Sequence, residues 1–210
     1  MRIKFEKTIS TKEELRDYLG HPSELAEKKV IRELDEHCRT FISLSPFVVV
    51  STTDKSGNAD VSPRGDQPGF VQILNDHQLI IPERKGNKRA DTMMNILENP
   101  SVGLLFFIPG LGEMLRVNGK AVIVRDGALL EKMSVRSISP LAGIVVEVEE
   151  CFIQCAKAAI RSGIWQPHSW ANLRSMPSAA QILADHAKLC NKTVSEIDEG
   201  LKDGYVNRLY

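Results

Sequence analysis

Arg84, Lys85, Lys88 and Arg89 crowd into one short stretch of the chain, within Leu79–Pro100, LIIPERKGNKRADTMMNILENP. Cations at that density suit an anion, and a phosphate above all when a helix N-terminus lies beside them. The flanking residues supply such a helix. Leu79, Ile80 and Ile81 form a short apolar strand that stops at Pro82, and a basic, glycine-containing loop follows. A helix is predicted to begin around Asn87 or Lys88, with Asn87 as N-cap. Ala90, Met93, Met94 and Leu97 then recur at i, i+3, i+4 and i+7 as one apolar face, and Asn99-Pro100 ends the helix. No Walker loop or G-x-G-x-x-G fingerprint is present, so a nucleotide on a Rossmann sheet is not indicated. A solvated basic turn is the competing reading, and spacing alone does not choose between the two.

Two further groups of residues suit an anionic ligand. Ser62 and Arg64, in Ser62-Pro63-Arg64-Gly65-Asp66, reach out from a predicted strand end, where an ordinary exposed loop is the alternative. Gln154, Lys157 and Arg161 fall on one face of a predicted helix over Cys151–Trp165, with Trp165 one turn on. A packing helix with small residues and a polar edge is the stronger reading there. Cys38, Cys151, Cys155 and Cys190 are scattered and lack zinc-finger spacing, so no metal site is expected.

Composition bounds the rest. Lys+Arg and Asp+Glu are 27 each, so no global field draws nucleic acid or membrane to the chain. A nucleic-acid-binding barrel would need a basic face and exposed aromatic platforms, neither of which is seen. MRIKFEKTIS lacks the apolar run of a signal peptide and no stretch has the length of a membrane span, so a cytoplasmic protein is expected.

Elements that would hold these residues follow in order. Thr11–Arg39 reads as helix, broken at Gly20-His21-Pro22, with Leu25, Val30, Ile31 and Leu34 facing inward after the break. Strands are predicted at Phe47–Thr53, Phe70–Leu74, Gln78–Ile81, Val102–Ile108, Leu115–Val124 and Ile144–Val148, with Ala59–Arg64 a returning segment and a short helix over Asp126–Arg136. Ser178–Cys190 and Thr193–Leu201 are amphipathic helices, the second opened by a Thr193/Glu196 capping box. The semi-apolar tail Tyr205–Tyr210 is expected to dock on the body or on a partner. Mostly hairpin-connected strands with few helices between them indicate a mainly β fold, a six-stranded antiparallel sheet closing on itself. Helices flank it at both ends: residues 1–40 form a helical segment, 41–165 the barrel domain and 166–210 a helical extension.

These pieces resemble the pyridoxamine 5′-phosphate oxidase-like split β-barrel flavoproteins. The resemblance rests on Asn87-Lys88-Arg89-Ala90 after a strand, Asn99-Pro100, the apolar strand Val102–Phe107 and the strand ending Val117–Lys120. Within that superfamily it is closest to an uncharacterised bacterial branch, through Asp60–Asp66, Ile81–Arg89 and Cys155–Trp165; branch members often carry His where Gln154 stands. The resemblance implies FMN, with Lys88, Arg89 and Asn87 at its phosphate and Arg84 and Arg64 as second cationic contacts. It also implies Ile80, Ile81 and Pro82 along the ring and Ser62 on the ribityl chain or ring edge. A homodimer with FMN in the interface is implied too, in which Lys157, Arg161 and Trp165 serve the partner subunit's site. The reaction implied is an FMN-dependent transfer of hydride or electrons from reduced nicotinamide to a small acceptor, with no catalytic side chain assigned. Gly200–Tyr210 does not match the substrate-binding segment of the B6 oxidases. Alternatives in keeping with the resemblance are a flavin-binding or sensing dimer without catalysis, and a barrel using haem or a deazaflavin.

Overall fold

A computed structural model describes residues 3–210. Its seven strands are β1 (Phe47–Thr53), β2 (Ala59–Gly65), β3 (Gln72–Asn75), β4 (Gln78–Glu83), β5 (Ser101–Phe107), β6 (Met114–Val124) and β7 (Ala142–Gln154). They form one antiparallel sheet in the order β2-β1-β5-β6-β7-β4-β3. The mainly β antiparallel architecture matches the expectation, with seven strands in place of six.

Alternation explains most of the sheet. Val48, Val50 and Thr52 of β1, Val102, Leu104 and Phe106 of β5, and Leu115, Val117 and Ala121 of β6 all turn inward, at the two-residue period of a half-buried strand. β4 departs from that pattern, since Leu79, Ile80 and Ile81 are all fully buried. Leu79 and Ile81 join the main core, while Ile80 packs with Leu130 and Met133 on the opposite face, at and just beyond α5 (Gly127–Glu131). A strand covered on both faces is written as a continuous apolar run. Near its middle β6 shifts register against β7 between Asn118 and Gly119. Glycine is required there, because a Cβ on Gly119 would lie 2.0 Å from the Glu147 carbonyl oxygen.

The N-terminal region forms three helices, α1 (Lys12–Leu19), α2 (Glu24–Lys28) and α3 (Glu36–Leu44), of which only α3 has buried residues. The expected helix through Val30 and Ile31 does not form. Ile31 instead exchanges backbone hydrogen bonds with Cys151, at 2.8 and 3.0 Å, and the Leu34 N–H donates to the Asp76 carbonyl. The same bridge, with the β6 ladder, keeps Cys151–Gln154 in β7. The helix expected over Cys151–Trp165 is therefore confined to α6 (Lys157–Ser162), and Gln154 shares no helical face with Lys157. α3 closes the main core with Cys38, Phe41 and Ile42, and the Cys38 and Cys151 sulfurs lie 3.7 Å apart. Their mutual hydrogen bond, followed by burial, pushes the Cys38 thiol far above the usual range.

α4 (Asp91–Glu98) follows β4, and the chain ends in α7 (Ala179–Ala187) and α8 (Val194–Asn207). α8 opens with the expected capping box and buries none of its residues. No helix among the described residues is long and apolar enough to cross a membrane.

Candidate functional site

A cleft of about 1340 Å³ opens between the end of β2 and the β4–α4 loop. Residues 138–142 and the pair Leu209-Tyr210 complete its walls. β2 and β4 stand near opposite ends of the sheet order, so curvature of the sheet brings them together. Arg64 of β2 donates to Glu83 of β4 at 3.1 Å across this closure.

The loop into α4 is built differently from its sequence expectation. Lys88 and Ala90 both take left-handed backbone, with φ of 64° and 59°. Such residues cannot continue a right-handed helix, so α4 begins at Asp91 rather than at Asn87 or Lys88. Asn87 is not the N-cap. Its side-chain oxygen accepts the Arg89 N–H at 3.0 Å, tightening the turn two residues on. Left-handed non-glycine residues carry a conformational cost that the surroundings must offset, a device found at ligand clamps.

α4 is held to the sheet by two side-chain amides. Asn95 donates to Thr52 at 3.0 Å and Asn99 to Thr53 at 3.1 Å. This orientation turns Thr92 and Ile96 inward and leaves Met94 and Leu97, expected on the inner face, exposed. Thr92 lies in the first turn, lines the cleft and is 1% exposed, yet its hydroxyl has no hydrogen-bond partner. A buried hydroxyl without a partner costs about 1–3 kcal/mol.

The cations divide into two sets. Arg84 donates to Asp66 at 2.8 Å, Arg64 to Glu83, and Arg89 to Asp91 at 2.8 Å. Lys85 and Lys88 have no acidic partner within 4.0 Å among the described residues. The first set is ordered by its carboxylates, while the lysines stand exposed at the mouth.

Ser62, Arg64, Pro82, Arg84, Asn87, Lys88 and Arg89 are thus brought together around one cleft. Ile80 and Ile81 do not line it. Both side chains lie in the cores, Ile81 in the main one and Ile80 in the smaller one. Lys157 and Arg161 stand exposed on α6, and Trp165 follows that helix with its indole N–H buried and unpartnered; none of the three lines the cleft.

Four residues that sequence reasoning did not single out belong to the site or flank it, three in its lining and Arg136 near the Tyr210 ring. Asp66 accepts from Arg84, from the Gln67 N–H at 2.8 Å and from the Tyr210 hydroxyl at 2.9 Å. Arg136, itself left-handed with φ of 50°, places its guanidinium 5.4 Å from the Tyr210 ring centroid. Thr92 and Tyr210 are the other two. Asp66 stood within a motif and Tyr210 within a tail expected to dock, but no local pattern marks Thr92 or Arg136.

The donor set suits a ligand with an anionic end. Lysine ammonium groups without acidic partners, an orphaned buried hydroxyl and the N-terminal turn of an eight-residue helix belong to residues that line the same cleft. Among the described residues no cluster of His, Cys, Asp or Glu could hold a metal ion.

A family model described as Pyridoxamine 5′-phosphate oxidase matches residues 34–155. No curated protein matches the chain. Among solved structures, HupZ of Group A Streptococcus is similar at 22% identity and a TM-score of 0.46, over 56% of this chain and 91% of its own. General Stress Protein 26 of Bacillus anthracis is similar at 18% identity and a TM-score of 0.42, over 54% and 88%. The FAD binding protein of Mycobacterium smegmatis is similar at 15% identity and a TM-score of 0.42, over 59% and 97%.

Proposed function

Since the chain belongs to the pyridoxamine 5′-phosphate oxidase family, we propose that it is an FMN-binding oxidoreductase. The observation that carries this reading is the orphaned Thr92 hydroxyl in a cleft that unpaired Lys88 also lines. In this assignment Lys88, Arg89 and the Thr92 hydroxyl hold the phosphate, with backbone N–H groups of the first turn of α4. Exchanging the Arg89–Asp91 pair for a phosphate costs little, since that pair is largely exposed. Arg64, kept in place by Glu83, and Ser62 stand along the β2 wall for the ribityl chain, and Pro82 offers the apolar surface for the ring. Charge-assisted bonds of this kind contribute roughly 1.5–3 kcal/mol each.

FMN held by these residues would supply the redox chemistry, a transfer of hydride or electrons from reduced nicotinamide to a small acceptor. The protein's part is to bind, to orient and to exclude water from the inner wall of the cleft. The chain acts as a homodimer in this reading, with Lys157, Arg161 and Trp165 serving the partner's cleft.

The visible absorption spectrum of freshly purified protein, with the released cofactor identified by mass, is the test. Oxidised-flavin bands and the mass of FMN are expected, with bleaching on addition of NADH or NADPH. A Soret band, or a colourless protein that fails to take up added FMN, would overturn the assignment. Bound FMN that neither nicotinamide reduces would remove the oxidoreductase and leave a flavin-binding dimer.

A further inference from the structure

Tyr210 sits in the cleft in an arrangement that a tail resting on a surface does not require. Two guanidinium groups stand near its ring, Arg84 at 5.8 Å and Arg136 at 5.4 Å from the centroid. Its hydroxyl donates to Asp66 at 2.9 Å. The Asp66 side chain is almost wholly buried; Arg84 fixes its other oxygen, and the Gln67 N–H shares the oxygen that accepts from Tyr210. Two cations over a ring and a fixed acceptor at its hydroxyl make a complete recognition set for a phenol. The Asp66 carboxylate that accepts its hydrogen bond also raises the Tyr210 phenol above its usual pKa.

What fills this set is weakly tethered. Tyr210 follows α8, which buries none of its residues, and Leu209 is more than half exposed. The ring is therefore held mainly by its own contacts in the cleft. Arg136 has no acidic partner among the described residues, and both it and Ser137 keep left-handed backbone, with φ of 50° and 63°.

We propose that Asp66, Arg84 and Arg136 form an aromatic-ring subsite, filled by Tyr210 at rest, which a planar aromatic ligand with a phenol-type hydroxyl takes when Tyr210 withdraws. Tyr210 is then an internal competitor. It keeps the subsite ordered when empty of ligand and sets a threshold concentration for entry, because a tethered group competes at the effective concentration that its tether allows. The subsite itself stands without the flavin; that its ligand lies beside a flavin rests on the reading above.

The probe is p-cresol, the side chain of tyrosine as a free molecule, followed by ligand-observed NMR on the purified full chain. Tyr210→Ala should bind p-cresol saturably and at least tenfold more tightly than the wild type, whose subsite is filled. Arg136→Ala introduced into that variant should weaken binding tenfold or more. Equal binding by wild type and Tyr210→Ala, or binding indifferent to Arg136, would overturn the proposal. Unchanged circular dichroism of both variants guards against unfolding as the cause, and their exposed positions favour this. Addition of FMN separates the two readings. Binding of p-cresol that survives saturation with FMN supports a subsite apart from the flavin, whereas expulsion by FMN overturns it. A failure to bind FMN alongside normal p-cresol binding would refute the flavin assignment and leave the subsite intact.

Discussion

Arg84 donates its Nε–H to Asp66 at 2.8 Å, and the carboxylate is only 2% exposed. Burying such a pair is not itself a large stabilisation, but removing one member strands the other. Asp66→Ala should destabilise the protein by about 3 kcal/mol, the lower end of the usual range because Arg84 retains some solvent contact. Urea denaturation measures this. The double variant Asp66→Asn with Arg84→Met should recover most of the loss, and an additive double variant would contradict the pairing.

Lys88 and Arg89 stand exposed at the mouth of the cleft. Replacing both with Ala should leave the melting temperature nearly unchanged and weaken FMN binding by about 100-fold or more, the value of two charge-assisted bonds at their lower limit. A double variant that purifies with a full complement of flavin would show that the phosphate lies elsewhere.

Thr92 separates stability from affinity. Thr92→Val keeps the shape and removes the unpartnered hydroxyl. The protein without ligand should be equally stable or more stable by up to about 1 kcal/mol, while FMN affinity falls about tenfold. Thermal melts with and without FMN read both quantities. A loss of stability without ligand would mean that the hydroxyl is satisfied internally.

Stability should fall at acid pH through Asp35, whose carboxylate caps α3 by accepting the Cys38 N–H at 2.8 Å. That backbone bond holds its pKa below the ordinary value. A depressed folded-state pKa means that the unfolded chain takes up the proton first as pH drops. The contribution is complete above the unfolded value of about 3.9 and is lost as pH falls through the folded value. Melting temperatures from pH 6 to pH 2 should therefore fall less steeply in Asp35→Asn, which does not titrate. Parallel curves would exclude Asp35 as a source of the acid sensitivity.

Gly119 permits β6 and β7 to shift register. Gly119→Ala brings a Cβ to within 2.0 Å of the Glu147 carbonyl oxygen, which is backbone and cannot swing aside. A loss of about 3 kcal/mol or more is expected, the upper range for overpacking. Gly86→Ala, where the added Cβ meets nothing within 4 Å, is the control and should cost little. Equal melting temperatures would mean that the two strands can separate locally without cost.

Strands were the legible part of the sequence, because each is written by local alternation or by a continuous apolar run, as in Val48–Thr52 and Leu79–Ile81. The basic loop was legible as a cluster of cations but not as a conformation. Its left-handed turns at Lys88 and Ala90 fall on residues with no particular preference for them, and so the helix start was read four residues early. Cys151–Gln154 reads as helix by composition and is strand because Ile31 and β6 supply its hydrogen-bond partners. The same limit applies to the site. Thr92, Arg136 and Tyr210 acquire their roles from residues far away in the chain, and no local pattern records that.

Closure of the sheet carries a kinetic consequence. The cleft's walls come from β2 and β4, near opposite ends of the strand order, and meet only once β1, β5, β6 and β7 are in register between them. A topology dominated by such distant pairings folds slowly, because loop entropy is lost before the contacts form. The walls that grip a ligand do not exist in a partly folded chain, so no ligand can template the barrel. Any ligand of the cleft would enter a finished vessel, and its effect would fall on how long the native state persists rather than on how quickly it is reached.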